Sequence, residues 1–166
     1  MKKCANSVSI ISNQESRLTG LQIDTDIGPI LLYVYTCLLI MATKSFECYV
    51  NCLGKLRALM MNSVTILTLI AGDFNCRLRS RFLGEFSSFT EDNNLFMSDI
   101  NRLKDVCMYI SDDGLKMSWV DHVLSTASLD KLTDKITILN DVILSHHKPV
   151  SFSLRSNDSM YMTSDT

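Results

Sequence analysis

Residues 64–70 form a strongly apolar run, and Ala71, Gly72, Asp73, Phe74 and Asn75 follow it directly. Val64, Thr65, Ile66 and Ile70 are β-branched, which favours a buried strand over a helix. Gly72 is expected to break that strand and let the backbone turn. A carboxylate and a carboxamide, Asp73 and Asn75, would then sit at the strand's mouth, where open α/β sheets place ligands. Aspartate offers hard oxygen to a divalent cation, and asparagine can hold a phosphate or a water by hydrogen bonds. Gly, Asp and Asn are also the usual turn residues, so the stretch equally describes a plain strand-to-loop turn.

With 166 residues, 46% of them hydrophobic, the chain can bury one real core. Net charge is −2 and only 20% of residues are charged, so no basic field advertises nucleic-acid binding. Any such contact has to be local or metal-mediated. Cys4, Cys37, Cys48, Cys52, Cys76 and Cys107 are irregularly spaced and no secretory signal precedes them. They fit a reduced, intracellular chain, nuclear or cytoplasmic, in which cysteine serves as a small hydrophobe. Cys48 and Cys52 lie one helical turn apart, but no second pair completes a zinc site.

Residues 27–42 are almost wholly apolar, interrupted by Gly28, Pro29 and Thr36. The run falls short of the ~18–20 residues a membrane span needs. Val34, Tyr35 and Thr36 within it have a strand-like order. A buried strand with a greasy following loop is expected, and a small membrane protein anchored through 27–42 stands as an alternative.

Residues 1–16 are polar, with no strand expected. Residues 18–23 and 30–35 alternate as two strands around turn residues and suggest an antiparallel hairpin. Ser45 can cap a helix with Glu47 in its first turn, and Phe46, Tyr49, Val50, Leu53, Leu56 and Met60 follow helical spacing on one face. Gly54 inside it costs about 1 kcal/mol relative to alanine, which packing against a sheet would outweigh. Arg77, Arg79 and Arg81 alternate after the polar pair, either in a solvated loop or touching phosphates. Residues 94–101 suggest a short helix and 106–110 a strand, then an Asp112-Asp113-Gly114 hairpin turn. The strand returns over 119–125 with Asp121 and His122, and short strands follow at 136–139, 142–144 and 150–154. The polar tail 155–166 is expected to be disordered.

The ordered motifs are Tyr35, then Gly72-Asp73-Phe74-Asn75, then Ser118-Trp119-Val120-Asp121-His122, then Ser145-His146-His147-Lys148-Pro149. Together they resemble the endonuclease/exonuclease/phosphatase superfamily, and more narrowly the endonuclease domain of non-LTR retrotransposons. Residues 18–23 and 109–114 also look like that branch. The resemblance covers roughly residues 17–154, flanked by a polar segment at 1–16 and the tail at 155–166. It implies an α/β fold, a four-layer sandwich of two mixed β-sheets flanked by helices, incomplete at the N-terminus. It implies metal-assisted phosphodiester hydrolysis of DNA with Mg²⁺ or Mn²⁺, and no membrane association. Asp73 matches the carboxylate that orients or deprotonates the attacking water and serves the metal. Asn75 matches the amide that holds the phosphate, and Tyr35 a tyrosine that reaches it. His147 matches the invariant histidine of a Ser-Asp-His signature, and Asp121 the carboxylate that fixes its tautomer.

His146 stands in place of the signature aspartate, replacing an oxygen ligand by a nitrogen suited to Zn²⁺ or Mn²⁺ more than Mg²⁺. Cys37 replaces a family proline. Relatives open with further strands carrying an asparagine and a metal-binding glutamate. Glu15 superficially matches that glutamate but lies too near the hairpin and follows no convincing strand. The expectation is a truncated endonuclease-like domain, weak or inactive alone. A non-catalytic degenerate fragment or binding module is the alternative. His122, next to Asp121, should face the other way in a structural role. His146 also fits a solvated turn residue and Tyr35 a core aromatic. The whole reading requires Asp73 and His147 to meet in one pocket.

Overall fold

The computed structural model describes residues 7–15, 18–36, 45–63, 65–76, 81–103, 109–110, 117–140 and 147–155. Gly28–Thr36 (β3) is the middle of the molecule, because it has a neighbour on each side and apolar residues on both faces. Leu18–Thr25 (β2) pairs antiparallel with it as the expected hairpin, Leu18 opposite Tyr35 and Thr25 opposite Gly28. Ser7–Glu15 (β1) adds a further antiparallel edge strand with register irregularities. This corrects the reading of residues 1–16 as strandless: an edge strand can carry polar residues and bulges on both faces, which hides it from hydropathy.

Leu67–Asp73 (β4) lies parallel to β3, so the chain must cross over between them. Ser45–Met61 (α1) is that crossover. It buries Tyr49, Leu53 and Leu56 as expected, while Val50 stays 38% exposed at the edge of the stripe. Arg81–Asp92 (α2) is a helix where only a loop around the arginines was expected. Phe82, Phe86 and Phe89 recur at helical spacing, and the last two are buried, which outweighs the poor propensity of Gly84, Ser87 and Ser88. Asn94 ends the turn after it at φ 50°, a conformation asparagine tolerates.

The short helix expected at 94–101 is in fact a strand, Leu95–Met97 (β5), followed by a single helical turn, Ser98–Arg102 (α3). Tyr109–Ile110 (β6) and Met117–Ser118 (β7) form a small antiparallel ribbon around the expected hairpin. The turn itself, at 111–116, lies outside the described residues, as does the strand expected at 142–144. Asp121–Thr126 (β8) runs antiparallel between β4 and β5. Ala127–Leu132 (α4), Thr133–Ile138 (β9) and Val150–Leu154 (β10) complete the chain.

The result is a six-stranded mixed sheet in the order β1-β2-β3-β4-β8-β5 and a two-stranded sheet of β9 and β10. Leu31, Tyr33, Tyr35, Ile70 and Leu124 face α1 and α2 in one core. Ile30, Leu67, Leu69 and Val123 face Leu129, Ile136 and Phe152 in the other. α1 and α2 therefore cover one face of the large sheet, and the second sheet with α4 covers the other, so that two sheets and flanking helices are layered as in the expected sandwich. The second sheet is purely antiparallel among the described residues, not mixed. Ile27 and β3 account for the first part of the apolar run 27–42, as a central strand. No described helix is long and apolar enough to cross a membrane.

Candidate active site

β4 and β8 end their shared ladder with Gly72 opposite His122 and Asp73 opposite Asp121. Side chains alternate along a strand, so Asp73 and Asp121 point to the face of Ala71 and Val123, beneath the second sheet. His147 lies just before β10 of that second sheet, and its Nδ1 is 2.8 Å from Oδ2 of Asp121. The two sheets thus bring Asp73, Asp121 and His147 together at one rim. Asp121 is 16% exposed and His147 37%, so the pair is reachable from solvent. A carboxylate only accepts, so Nδ1 is the ring nitrogen that donates to Asp121 and Nε2 is the nitrogen turned away from it.

Gly72 shapes this rim, but not by breaking the strand. It remains within β4 at φ +144°, and a Cβ there would stand 1.8 Å from the Tyr35 carbonyl oxygen. Glycine is required for the close approach of β3. The turn comes three residues later, where Asn75 has φ 50°. Its backbone N–H donates to Oδ1 of Asp73 at 2.8 Å and its Nδ2 to Oδ2 at 3.2 Å. Asn75 therefore clamps the carboxylate. Burial, the largest influence, pushes the Asp73 pKa up to about 6. The facing charge of Asp121 adds to the rise, and the Asn75 N–H, His147 and His122 oppose it.

Tyr35 does not join the cluster. Its ring is 1% exposed in the helix-side core and stacks on Phe74 at 4.7 Å. Arg81 lies over the rings of Phe46 and Phe82, at 4.6 Å and 5.4 Å, on the helix side as well. Arg77, Arg79 and His146 lie outside the described residues. So does the side chain of Glu15, which the structure does place on a strand. No three His, Cys, Asp or Glu side chains among the described residues are grouped as cation ligands would be. Asp73 and Asp121 supply two carboxylates, each already engaged by Asn75 or His147. The described residues therefore do not make up a divalent-cation site on their own.

His122 is on the opposite face, 5% exposed, with its ring 4.9 Å from that of Phe86. Its Nδ1 is 3.0 Å from Oδ2 of Asp99, while its Nε2 is buried with no hydrogen-bond partner among the described residues. Asp99 is fully buried and also accepts from Trp119 Nε1–H at 2.8 Å and Val123 N–H at 3.1 Å. Sequence reasoning missed Asp99. Beside it, Ser98, Ser125 and Arg102 converge on Asp130, with Arg102 Nη1 2.7 Å from Oδ1. Cys76 is a buried free thiol in the helix-side core, as expected of a small hydrophobe, and burial pushes its pKa up to about 11.

Solved structures share this arrangement of sheets and helices. The endonuclease domain of TRAS1, a telomere-specific non-LTR retrotransposon, superposes with a TM-score of 0.68 at 17% identity, over 92% of this chain and 71% of that one. The 3′ phosphatase NExo from Neisseria, bound to a product DNA hairpin, gives 0.68 at 12% identity, over 92% and 72%. An AP endonuclease from Archaeoglobus fulgidus gives 0.66 at 12%, over 92% and 72%. The chain has the endonuclease/exonuclease/phosphatase fold. Neither a family profile nor a curated protein sequence matches it. Within the endonuclease/exonuclease/phosphatase fold, the rim that carries Asp73, Asp121 and His147 is built from the strand ends of both sheets.

Proposed function

We propose that the chain is a weak phosphodiester hydrolase of endonuclease type acting on DNA. The observation that carries this is the Asp121–His147 contact of 2.8 Å directly across the ladder from Asp73. Asp73, whose pKa is pushed up to about 6, is the base that takes a proton from the attacking water. Asn75 holds that carboxylate in place. His147, held at Nδ1 by Asp121, turns the Nε2 edge of its ring toward the scissile phosphate. Mg²⁺ or Mn²⁺ would supply charge stabilisation at the phosphate, with Asp73 its candidate ligand. The described residues do not make up a site for that ion by themselves. Weak activity is supported by the few cation donors among the described residues, since each tenfold loss of rate corresponds to about 1.4 kcal/mol of transition-state stabilisation. DNA as substrate is supported by the fold likeness to an endonuclease domain and to a phosphatase bound to a DNA hairpin. A retrotransposon origin is supported by the order of the motifs.

The test is nicking of supercoiled plasmid with Mg²⁺, with Mn²⁺ and with chelator. Slow nicking that Asp73→Ala abolishes supports the proposal. No nicking under either ion, with no DNA retardation on a gel, favours the second reading, a non-catalytic fragment. That no three cation-ligating side chains are grouped among the described residues is the observation that favours that second reading.

A further inference from the structure

β8 is held unequally along its length. On one side the β4 ladder runs from Leu69–Ser125 to Asp73–Asp121. On the other side β5 pairs only with Leu124, Ser125 and Thr126. Asp121, His122 and Val123 have no strand beside them there among the described residues. The chain instead turns into α3, and the Asp99 side chain occupies the next place along that edge. Its Oδ1 accepts the Val123 N–H at 3.1 Å, a bond that a further β5 residue would otherwise make. Its Oδ2 engages Trp119 Nε1–H at 2.8 Å and His122 Nδ1 at 3.0 Å. One buried carboxylate therefore grips the residues on both sides of Asp121. A slip of one residue would send Asp121 to the helix face and His122 to the rim, since strand side chains alternate.

We propose that Asp99 is a positioning residue that locks the register and tilt of β8, so that Asp121 opposes Asp73 and holds His147. This rests on the reading of Asp121 and His147 as hydrolytic machinery. Asp99 itself touches neither of them. Its effect reaches His147 only through the placement of Asp121.

The test is ¹⁵N NMR of the full chain over a pH series, read for the tautomer of His147, together with melting curves. In the wild type His147 is expected in the Nδ1–H tautomer, because Asp121 accepts there. Asp99→Asn presents an NH₂ to donors at Trp119 and His122. It is expected to move His147 toward the Nε2–H tautomer. In an active preparation it should lower kcat with KM unchanged. Asp130→Asn disturbs the neighbouring buried network without touching Trp119, His122 or Val123. It should lower the melting temperature and leave the His147 tautomer as it was. Equal melting losses in both variants, with His147 still Nδ1–H in each, would overturn the proposal. Should Asp99→Asn not fold, Trp119→Phe removes one of the three grips, and a His147 signal identical to wild type then overturns it. The tautomer needs no turnover, so absent nicking leaves this test intact. A wild-type His147 in the Nε2–H form would instead disprove the Asp121 pairing itself.

Discussion

Asp73 and Asp121 are cross-strand partners on β4 and β8, two carboxylates pointing to the same face where the ladder ends. Like charges directly opposite on a sheet repel, and burial makes the repulsion worse. The structure relieves it in two ways. Asp121 turns to His147 at 2.8 Å, and Asp73 holds its proton up to a pKa of about 6. The two side chains are therefore chemically unequal although the ladder makes them equivalent.

Stability should vary with pH through Asp73. Its folded pKa of about 6 lies above the ordinary 3.8, so the folded state binds the extra proton. The contribution is fully present below about pH 3.8 and is lost as pH rises through about 6. After discounting for partial exposure, the loss is about 1–2 kcal/mol. Urea denaturation of wild type and Asp73→Asn at pH 4.5 and pH 8 checks this. The variant should gain relative to wild type at the higher pH.

Asp121→Asn should lower the Asp73 pKa, because a facing charge is gone, yet leave it elevated, because burial is the larger cause. The same change puts an amide, which can donate as well as accept, where His147 meets a group that only accepts, so its tautomer is no longer fixed. Activity in plasmid nicking should fall by about 10²–10⁴-fold, the usual cost of a misdirected catalytic histidine. Carboxylate ¹³C NMR titration and nicking rates measure the two effects separately.

Gly72→Ala should be among the most damaging single changes. The new methyl would stand 1.8 Å from the Tyr35 carbonyl oxygen in a backbone conformation at φ +144°. Neither backbone can retreat without breaking the parallel pairing of β3 and β4. A loss of about 3 kcal/mol or more is expected, read from the urea midpoint or from failure to recover folded protein.

Removing Asp130 should cost about 3 kcal/mol, because Arg102 would be left largely buried without its partner. Arg102 and Asp130 are only 25% and 20% exposed and meet at 2.7 Å. Asp130→Ala paired with Arg102→Met should cost less than Asp130→Ala alone. A double-mutant cycle in urea provides the comparison.

Much of this architecture is legible in the residue pattern, and the exceptions have physical reasons. The β2–β3 hairpin and α1 follow from alternation and from Tyr49, Leu53 and Leu56 at helical spacing. Asp73, Asp121 and His147 were found by motif order, and the ladder brings them together. Tyr35 was legible only as two alternatives, core aromatic or phosphate contact, because β3 is apolar on both faces and the strand's own pattern cannot say which face its ring takes; the structure places it in the helix-side core. β1 was hidden by Ser, Asn and Gln on an edge, and α2 by Gly84 and its serines. Asp99 left no local signal: its partners Trp119, His122 and Val123 lie 20 or more positions away. Only the turn of the chain after β5 brings them to it.

His147 lies just before β10, which pairs with β9 in a ribbon of two strands among the described residues, whereas Asp73 and Asp121 belong to the six-stranded sheet. Two-stranded ribbons are marginal and separate more readily than wide sheets. On gentle warming the histidine should swing away while most of the fold is still intact, so catalytic competence would be extinguished some degrees before the molecule melts.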